Sequence, residues 1–258
     1  MRPELVTGAR RRTVCVLDVD PDLATGIPAD DLEAARERAF APIVAYDELG
    51  PWRPPERLNA RGHQGLLVVS GLLARQVTVG HRTCAELLGV GDVLRPWVRT
   101  GPTYSTLAEV GWTVVDPLEL AVLDRSFALR TSSWPEIGTH LSDRILLRAR
   151  WLGFHVAVCH LVRVEDRVLL ILWHLAERWG RVGTAGVILP LRLTHRLLAS
   201  IVGAHRPSVT NAVSHLTERG LVRRRGDGSW LLCGEPPESI DELHRNLGYE
   251  VDPAAAHD

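Results

Sequence analysis

Lysine is missing from this chain, and all thirty basic side chains are arginine. With abundant alanine, glycine and proline beside it, that usage is read as a GC-rich coding sequence, and no function is drawn from it. Long apolar runs are absent too. No stretch approaches the roughly 18 uninterrupted apolar residues of a membrane span. The opening MRPELVTGARRRT lacks the apolar segment of a signal peptide, so a cytoplasmic protein with no membrane partner is expected. Cysteine is sparse: Cys15, Cys84, Cys159 and Cys233 lie far apart with no C-x-x-C pair, which excludes the usual zinc, iron–sulfur and dithiol patterns and suggests buried free thiols. There is no phosphate loop, no nucleophile elbow and no clustered carboxylate or histidine motif. An enzyme is therefore not expected, although a small β-barrel enzyme is the rival from that class.

What is present points elsewhere. A chain of 258 residues suffices for two ordinary domains, each with its own core. The net charge of −1 conceals an asymmetry. Between Pro190 and Cys233 seven arginines face only Glu218 and Asp227, a local charge of +5; from Gly234 onward seven acids face Arg245, a charge of −6. A basic block between a neutral body and an acidic tail is the footprint of a nucleic-acid-binding module.

Patterning divides the chain further. PADDLEAARERAF predicts a helix capped by Asp30 with Glu33 three residues on, with Leu32, Ala35 and Ala39 on one face and Pro42 ending it. From Ile43 to about Val122, short β-branched or leucine-rich runs alternate with glycine and proline, which predicts an antiparallel barrel or roll. Ser133, Pro135 and Glu136 then open a long helix carrying a stripe of Ile137, Leu141, Ile145, Leu152, Val156 and Cys159. Such a stripe fits a dimer seam and equally an intramolecular face. DRVLLILWHLAERWG is apolar around most of its circumference and should be buried. Gly180 to Pro190 reads as a link.

The segment from His195 to Leu216 meets the physical demands of a helix-turn-helix. Ala199 is small where two helices cross closely, and Gly203 can take the left-handed conformation of the turn. Leu198, Val202, Ala204, Val209 and Ala212 lock the pair. The outward face of the second helix carries Arg206, Ser208, Thr210, Asn211, His215 and Arg219. GLVRRRGDGSWLL follows as a hairpin, completing a winged helix.

LTHRLLASIVGAHRPSVTNAVSHLTERGLVRRRGDGSWLL closely resembles the DNA-binding domain of the Crp/Fnr family of bacterial transcription regulators, and VRVEDRVLLILWHLAERWG resembles the helix before it. DLATGIPADDLEAARERA, LLVVSGLLARQVTV and LLGVGDVL resemble the entry helix, hairpin and Gly-x-Gly-Asp turn of the family's cyclic-nucleotide-binding roll. The resemblance covers roughly residues 20–233. It implies an α+β chain: an antiparallel β-roll (14–124), connecting and dimerisation helices (125–164), a winged helix-turn-helix (165–233) and an acidic tail (234–258). It also implies a homodimer on a two-fold operator in double-stranded DNA, with RNA polymerase as a further partner.

By that resemblance Arg206 reaches a guanine. Asn211 pairs with an adenine or touches phosphate, and Ser208 joins the base-reading set or the backbone. Thr194, His205, Thr210, His215, Arg223, Arg224 and Arg225 are expected on phosphates. Val209 joins Ala199 and Gly203 as a shaping residue. A cyclic nucleotide is not expected: Arg95-Pro96 replaces the family's Gly-Glu, and no arginine stands before Tyr104-Ser105-Thr106. Arg95, Trp97, Arg99, Ser105 and Thr106 remain to line a pocket for another ligand. His155, Cys159 and His160 share a helix but offer too few ligands for a metal, so no metal or cofactor is expected. The rival of a different kind is a signalling protein that senses a ligand and acts on protein partners, its DNA binding lost.

Overall fold

Alternation along two long strands accounts for most of the amino-terminal architecture. The computed structural model describes residues 12–54, 62–96 and 108–238. Two compact units make up the chain, residues 1–81 with 86–150 and residues 82–85 with 151–258.

The strands of the amino-terminal half are β1 (Thr13–Cys15), β2 (Phe40–Tyr46), β3 (Gly50–Trp52), β4 (Gly65–Val79), β5 (Arg82–Leu88), β6 (Val93–Leu94) and β7 (Ala108–Leu123), all in the first unit except the opening residues 82–85 of β5. They form one sheet in the order β1-β2-β7-β4-β5, with β3 added on β7 and β6 on β4. β4 and β7 pair antiparallel from Gly65–Leu123 to Val79–Ala108. Successive residues of a strand point to opposite faces. Leu66, Val68, Leu118, Leu120 and Val122 accordingly enter one core with Trp52, while Leu67, Ala121 and Leu123 enter another with Leu17, Phe127 and Ile137. Two cores explain why this stretch of β4 reads as a continuous apolar run rather than an alternating one. The pairing slips at Ser70 and Leu72, and Gly71 there has φ +85° with the Pro117 carbonyl oxygen 1.9 Å from where a Cβ would stand. Bulged positions of this kind bend a long strand pair into a roll.

Around the sheet lie helices α1 (Val16–Val19), α2 (Leu32–Arg38) and α3 (Arg125–Arg130). α2 departs from the predicted capping: Asp30 lies in a short 3₁₀ turn, and Asp31 precedes the helix with no side-chain cap bond. Ala35 and Ala39 are buried as expected, but the helix stops at Arg38 and Pro42 belongs to β2. Proline is tolerated there on a short edge pairing with β1. α3, unforeseen in the sequence, is capped by Asp124, whose carboxylate accepts from the Phe127 N–H at 2.8 Å.

α4 (Pro135–Cys159) begins with proline in its first position, and Trp134 rather than Ser133 precedes it. Its predicted stripe has two environments. Ile137 and Leu141 are buried in the roll core, whereas Ile145 and Val156 are exposed, with Leu146, Leu147 and Phe154 exposed near them. One turn beyond Leu141, Arg144 makes two bonds to Asp20, at 2.9 and 2.7 Å. A turn further on, Arg148 makes a two-pronged bond to Glu86, which also accepts from Arg75. Asp20 and Glu86 are both buried, so these guanidinium pairs satisfy charges that would otherwise be costly to bury.

The second unit holds the end of α4, then α5 (Val164–Trp179), the hairpin β8 (Arg181–Gly183) and β9 (Gly186–Leu189), α6 (His195–Ile201), α7 (Arg206–Glu218), and β10 (Val222–Arg224) with β11 (Trp230–Leu232). α5 is buried along most of its length, as its composition predicts. The stretch read as a link, Gly180 to Pro190, is instead a hairpin. β9 pairs with β11, giving a four-stranded sheet in the order β10-β11-β9-β8. All four cysteines are free thiols, but only Cys15 is buried as expected; Cys159 and Cys233 are half-buried and Cys84 is exposed. No helix among the described residues is long and apolar enough to cross a membrane.

Candidate nucleic-acid interface

The α6–α7 pair is built as its spacing requires. Thr194 caps α6, its hydroxyl accepting from the Leu197 N–H at 3.1 Å. Ala199, Val209 and Ala212 are buried, with Leu198 and Val202, at the crossing of the two helices. Gly203 turns the chain at φ +63°, and a Cβ there would stand 3.2 Å from the Cys159 Sγ. Arg167 of α5 donates to the Val202 and Gly203 carbonyls, each at 3.4 Å, so the turn is held from two helices.

α7 buries Val209, Ala212, Val213 and Leu216, a three-and-four spacing that fixes which side faces outward. His205, Arg206, Pro207, Ser208 and Asn211 are exposed. His205 precedes the helix and supplies no side-chain cap, while Pro207 lies in its first turn. The remaining N–H groups of that turn therefore point outward beside Arg206, an arrangement that attracts phosphate oxygens.

Two of the expected phosphate contacts have internal roles as well. The Thr210 hydroxyl lies 3.0 Å from His195 Nδ1 and donates to the Arg206 carbonyl at 3.0 Å, bracing α7 against α6. Thr194 is the α6 cap already described. His215 is half-buried on the last full turn of α7.

The three consecutive arginines are not equivalent. Arg223 pairs across β11 with Leu231 and Arg224 with Trp230, so their side chains leave opposite faces of the hairpin. Arg224 reaches back toward the Trp230 ring, 5.9 Å from its centroid, and acts with Arg206 on His195. Arg225 lies in the turn, 3.7 Å from Asp227. Bonds from Ser229 hold the Asp227 carboxyl below the usual carboxylate range, so this acid stays ionised and offsets Arg225.

His195 is the interface residue that pattern reading missed. Burial, Arg224 and Arg206 push its pKa below the ordinary histidine value. A first-position histidine in α6 was visible in the sequence, but its two cationic neighbours come from α7 and β10. Only the fold brings them together.

The predicted effector residues are less informative. Arg95 donates to the Gln64 carbonyl at 2.6 Å. Trp97, Arg99, Ser105 and Thr106 lie outside the described residues. The Gly-x-Gly-Asp turn is formed as a turn, the buried Asp92 carboxylate accepting from the Gly89 N–H at 2.8 Å with Gly91 between them. Of the residues considered for a metal, His155 packs edge-on against His174, and Cys159 lies 3.8 Å from the Ile201 carbonyl. No group of three or more metal-ligating side chains comes together among the described residues.

A helix with its N-terminal turn exposed, braced by a second helix and flanked by a basic hairpin, has the arrangement of a winged helix-turn-helix. Residues 166–233 match the family model described as the Crp-like helix-turn-helix domain. The chain is 27% identical over 114 residues to the regulatory protein CysR of Synechococcus elongatus, which covers 43% of this chain and 54% of that one. It is 26% identical over 171 residues to the CRP-like cAMP-activated global transcriptional regulator of Mycobacterium tuberculosis, covering 64% of this chain and 74% of the relative. The match thus spans about half of the first relative's length and about three quarters of the second's.

Solved structures share the fold. A CooA mutant from Carboxydothermus hydrogenoformans aligns with a TM-score of 0.58 at 16% identity, over 83% of this chain and 90% of that one. FixK2 from Bradyrhizobium japonicum aligns with a TM-score of 0.55 at 17% identity, over 82% and 98%. Residues 166–233 thus match the Crp-like helix-turn-helix domain, and the chain shares its α+β fold, a β-roll followed by a winged helix, with these solved structures.

Proposed function

We propose that this protein binds double-stranded DNA as a homodimer, places α7 of each copy in successive major grooves of a two-fold operator, and so regulates transcription. The observation that carries this reading is the outward face of α7, where Arg206, Ser208 and Asn211 stand exposed within a segment of charge +5. Arg206 and Asn211 have the donor geometry for purine edges, while Ser208 reaches a base or the backbone. Thr194, His205, Thr210, His215, Arg223, Arg224 and Arg225 supply backbone contacts that set register and affinity. The exposed apolar residues of α4, Ile145 and Val156 among them, serve as the seam with the second copy. RNA polymerase is the protein partner of a regulator bound beside a promoter, and the cytoplasm is where both are met.

The Mycobacterium tuberculosis relative is named as cAMP-activated. We infer a different effector, or none, for this chain, because Arg95-Pro96 replaces the Gly-Glu pair and Arg95 is bonded to the Gln64 carbonyl. A gel shift with the DNA upstream of the protein's own coding sequence tests the main reading. A retarded complex that survives excess random competitor is expected; loss of all sequence-selective binding, even at low salt, overturns it. Addition of cyclic AMP is expected to leave the shift unchanged.

A further inference from the structure

Resting on the DNA-binding reading above, we propose that the His195 imidazole takes up a proton when a DNA phosphate docks at the start of α7, coupling this protein's DNA affinity to pH through one side chain.

Two hydrogen bonds bear on the tautomer of the neutral ring in the free protein. The Thr210 hydroxyl has one proton, and it is directed to the Arg206 carbonyl at 3.0 Å. Toward His195 Nδ1, also 3.0 Å away, the hydroxyl must then accept. With the Thr210 proton so placed, the neutral ring carries its own proton on Nδ1 and a lone pair on Nε2. In that state Nε2 repels an approaching phosphate oxygen. Protonated, it becomes a donor.

Partial burial first, and then the charge around the ring, disfavour its protonation in the free protein. Arg206 acts on it from α7 and Arg224 from β10, both cations. From β11 the neighbour is the Trp230 ring, its centroid 6.4 Å away, and from α7 also the uncharged Thr210. The hairpin's carboxylate, Asp227, is bonded to Ser229 and paired with Arg225. With partial burial added, these groups disfavour the imidazolium. The same two guanidinium groups draw a phosphate to this spot, and its negative charge reverses the balance on His195. Bound DNA thus raises the ring's pKa. Since the complex then holds more protons than the free protein, affinity rises as pH falls through the interval between the free and bound values, by up to about tenfold per pH unit for a single proton. Outside that interval affinity is flat with respect to His195.

Anisotropy of a labelled random-sequence duplex of about 30 base pairs, titrated with the full-length protein at fixed salt from about pH 5.5 to about pH 8, reads the coupling. The partner variant is His195→Asn, whose amide keeps a donor near Thr210 but cannot titrate. A steeper slope for the wild type than for His195→Asn is expected, since every other side chain is common to both proteins. Equal slopes overturn the proposal. Calorimetry of both proteins in two buffers of different ionisation enthalpy counts the protons directly, with His195→Gln as a second variant. Uptake by the wild type in excess of the variants supports the proposal, and equal uptake overturns it. Failure of the wild type to bind DNA at any of these pH values, even at low salt, would overturn the DNA-binding reading itself and this inference with it, an outcome distinct from pH-independent binding.

Discussion

Arg206 and Arg224 both act on His195, yet their positions fit different work in the proposed DNA complex. Arg206 opens an exposed recognition turn, while Arg224 leaves a β-strand of the hairpin. Arg206→Ala is expected to weaken the cognate complex by about 1–3 kcal/mol and relax one base position. Arg224→Ala should weaken cognate and random DNA alike and make the salt slope shallower by about one unit. Competition binding at several salt concentrations separates the two, and an equal effect of both on selectivity would refute the division. His174 carries a different prediction. Its ring is buried against Phe154 and Trp151, at 4.4 and 4.8 Å between centroids, and burial together with Arg178 lowers its pKa to about 4. Because the folded protein disfavours the charged ring, the contribution to stability is complete above the unfolded-state value of about 6.5 and is lost as pH falls toward the folded value. Thermal unfolding followed downward from neutral pH should therefore show a shallower loss for His174→Phe than for the wild type.

At the scale of elements, α4 joins two tasks in 25 residues. Ile137 and Leu141 belong to the roll core and Arg144 and Arg148 to buried carboxylates, while Ile145 and Val156 stay exposed. The last two lie eleven residues apart, about three turns, and so share a face. The double variant Ile145→Glu, Val156→Glu should keep its helical circular dichroism and sediment as a monomer where the wild type sediments as a dimer. Periodicity revealed the stripe but not its partners, since an apolar face looks the same whether it meets its own roll or a second chain. The hairpin β8–β9 was hidden for a related reason. Its strands are three and four residues long, β8 exposed and β9 largely half-buried, too short for alternation to register, and β9 pairs with β11 some forty residues later. By contrast α6, Gly203 and α7 were legible down to single residues, because a helix-turn-helix is local and each position is constrained by its immediate neighbours.

For the whole molecule, the proposed two-fold assembly makes a quantitative claim about DNA length. Two half-sites spaced one helical turn apart, about 34 Å, engage both recognition helices, whereas a duplex carrying one half-site engages one. Affinity for the single half-site should drop by at least about a hundredfold, read by anisotropy on duplexes of equal length. Equal affinities would refute a dimeric reader. The acidic tail predicted for residues 234–258 lies mostly outside the described residues. What the sequence by itself determined is whatever short-range pattern constrains: the recognition helix, its turn, the buried α5, the strand-rich first half, and the basic block that marks the DNA-facing domain. Only the tertiary structure decided what depends on residues distant in the chain. It divided the roll's apolar strands between two cores, tied α4 to Asp20 and Glu86, and brought His195 beside Arg206 and Arg224. The reason is physical: helix and strand periods report which way a side chain points, but burial, pairing and pKa depend on what the rest of the chain has placed there.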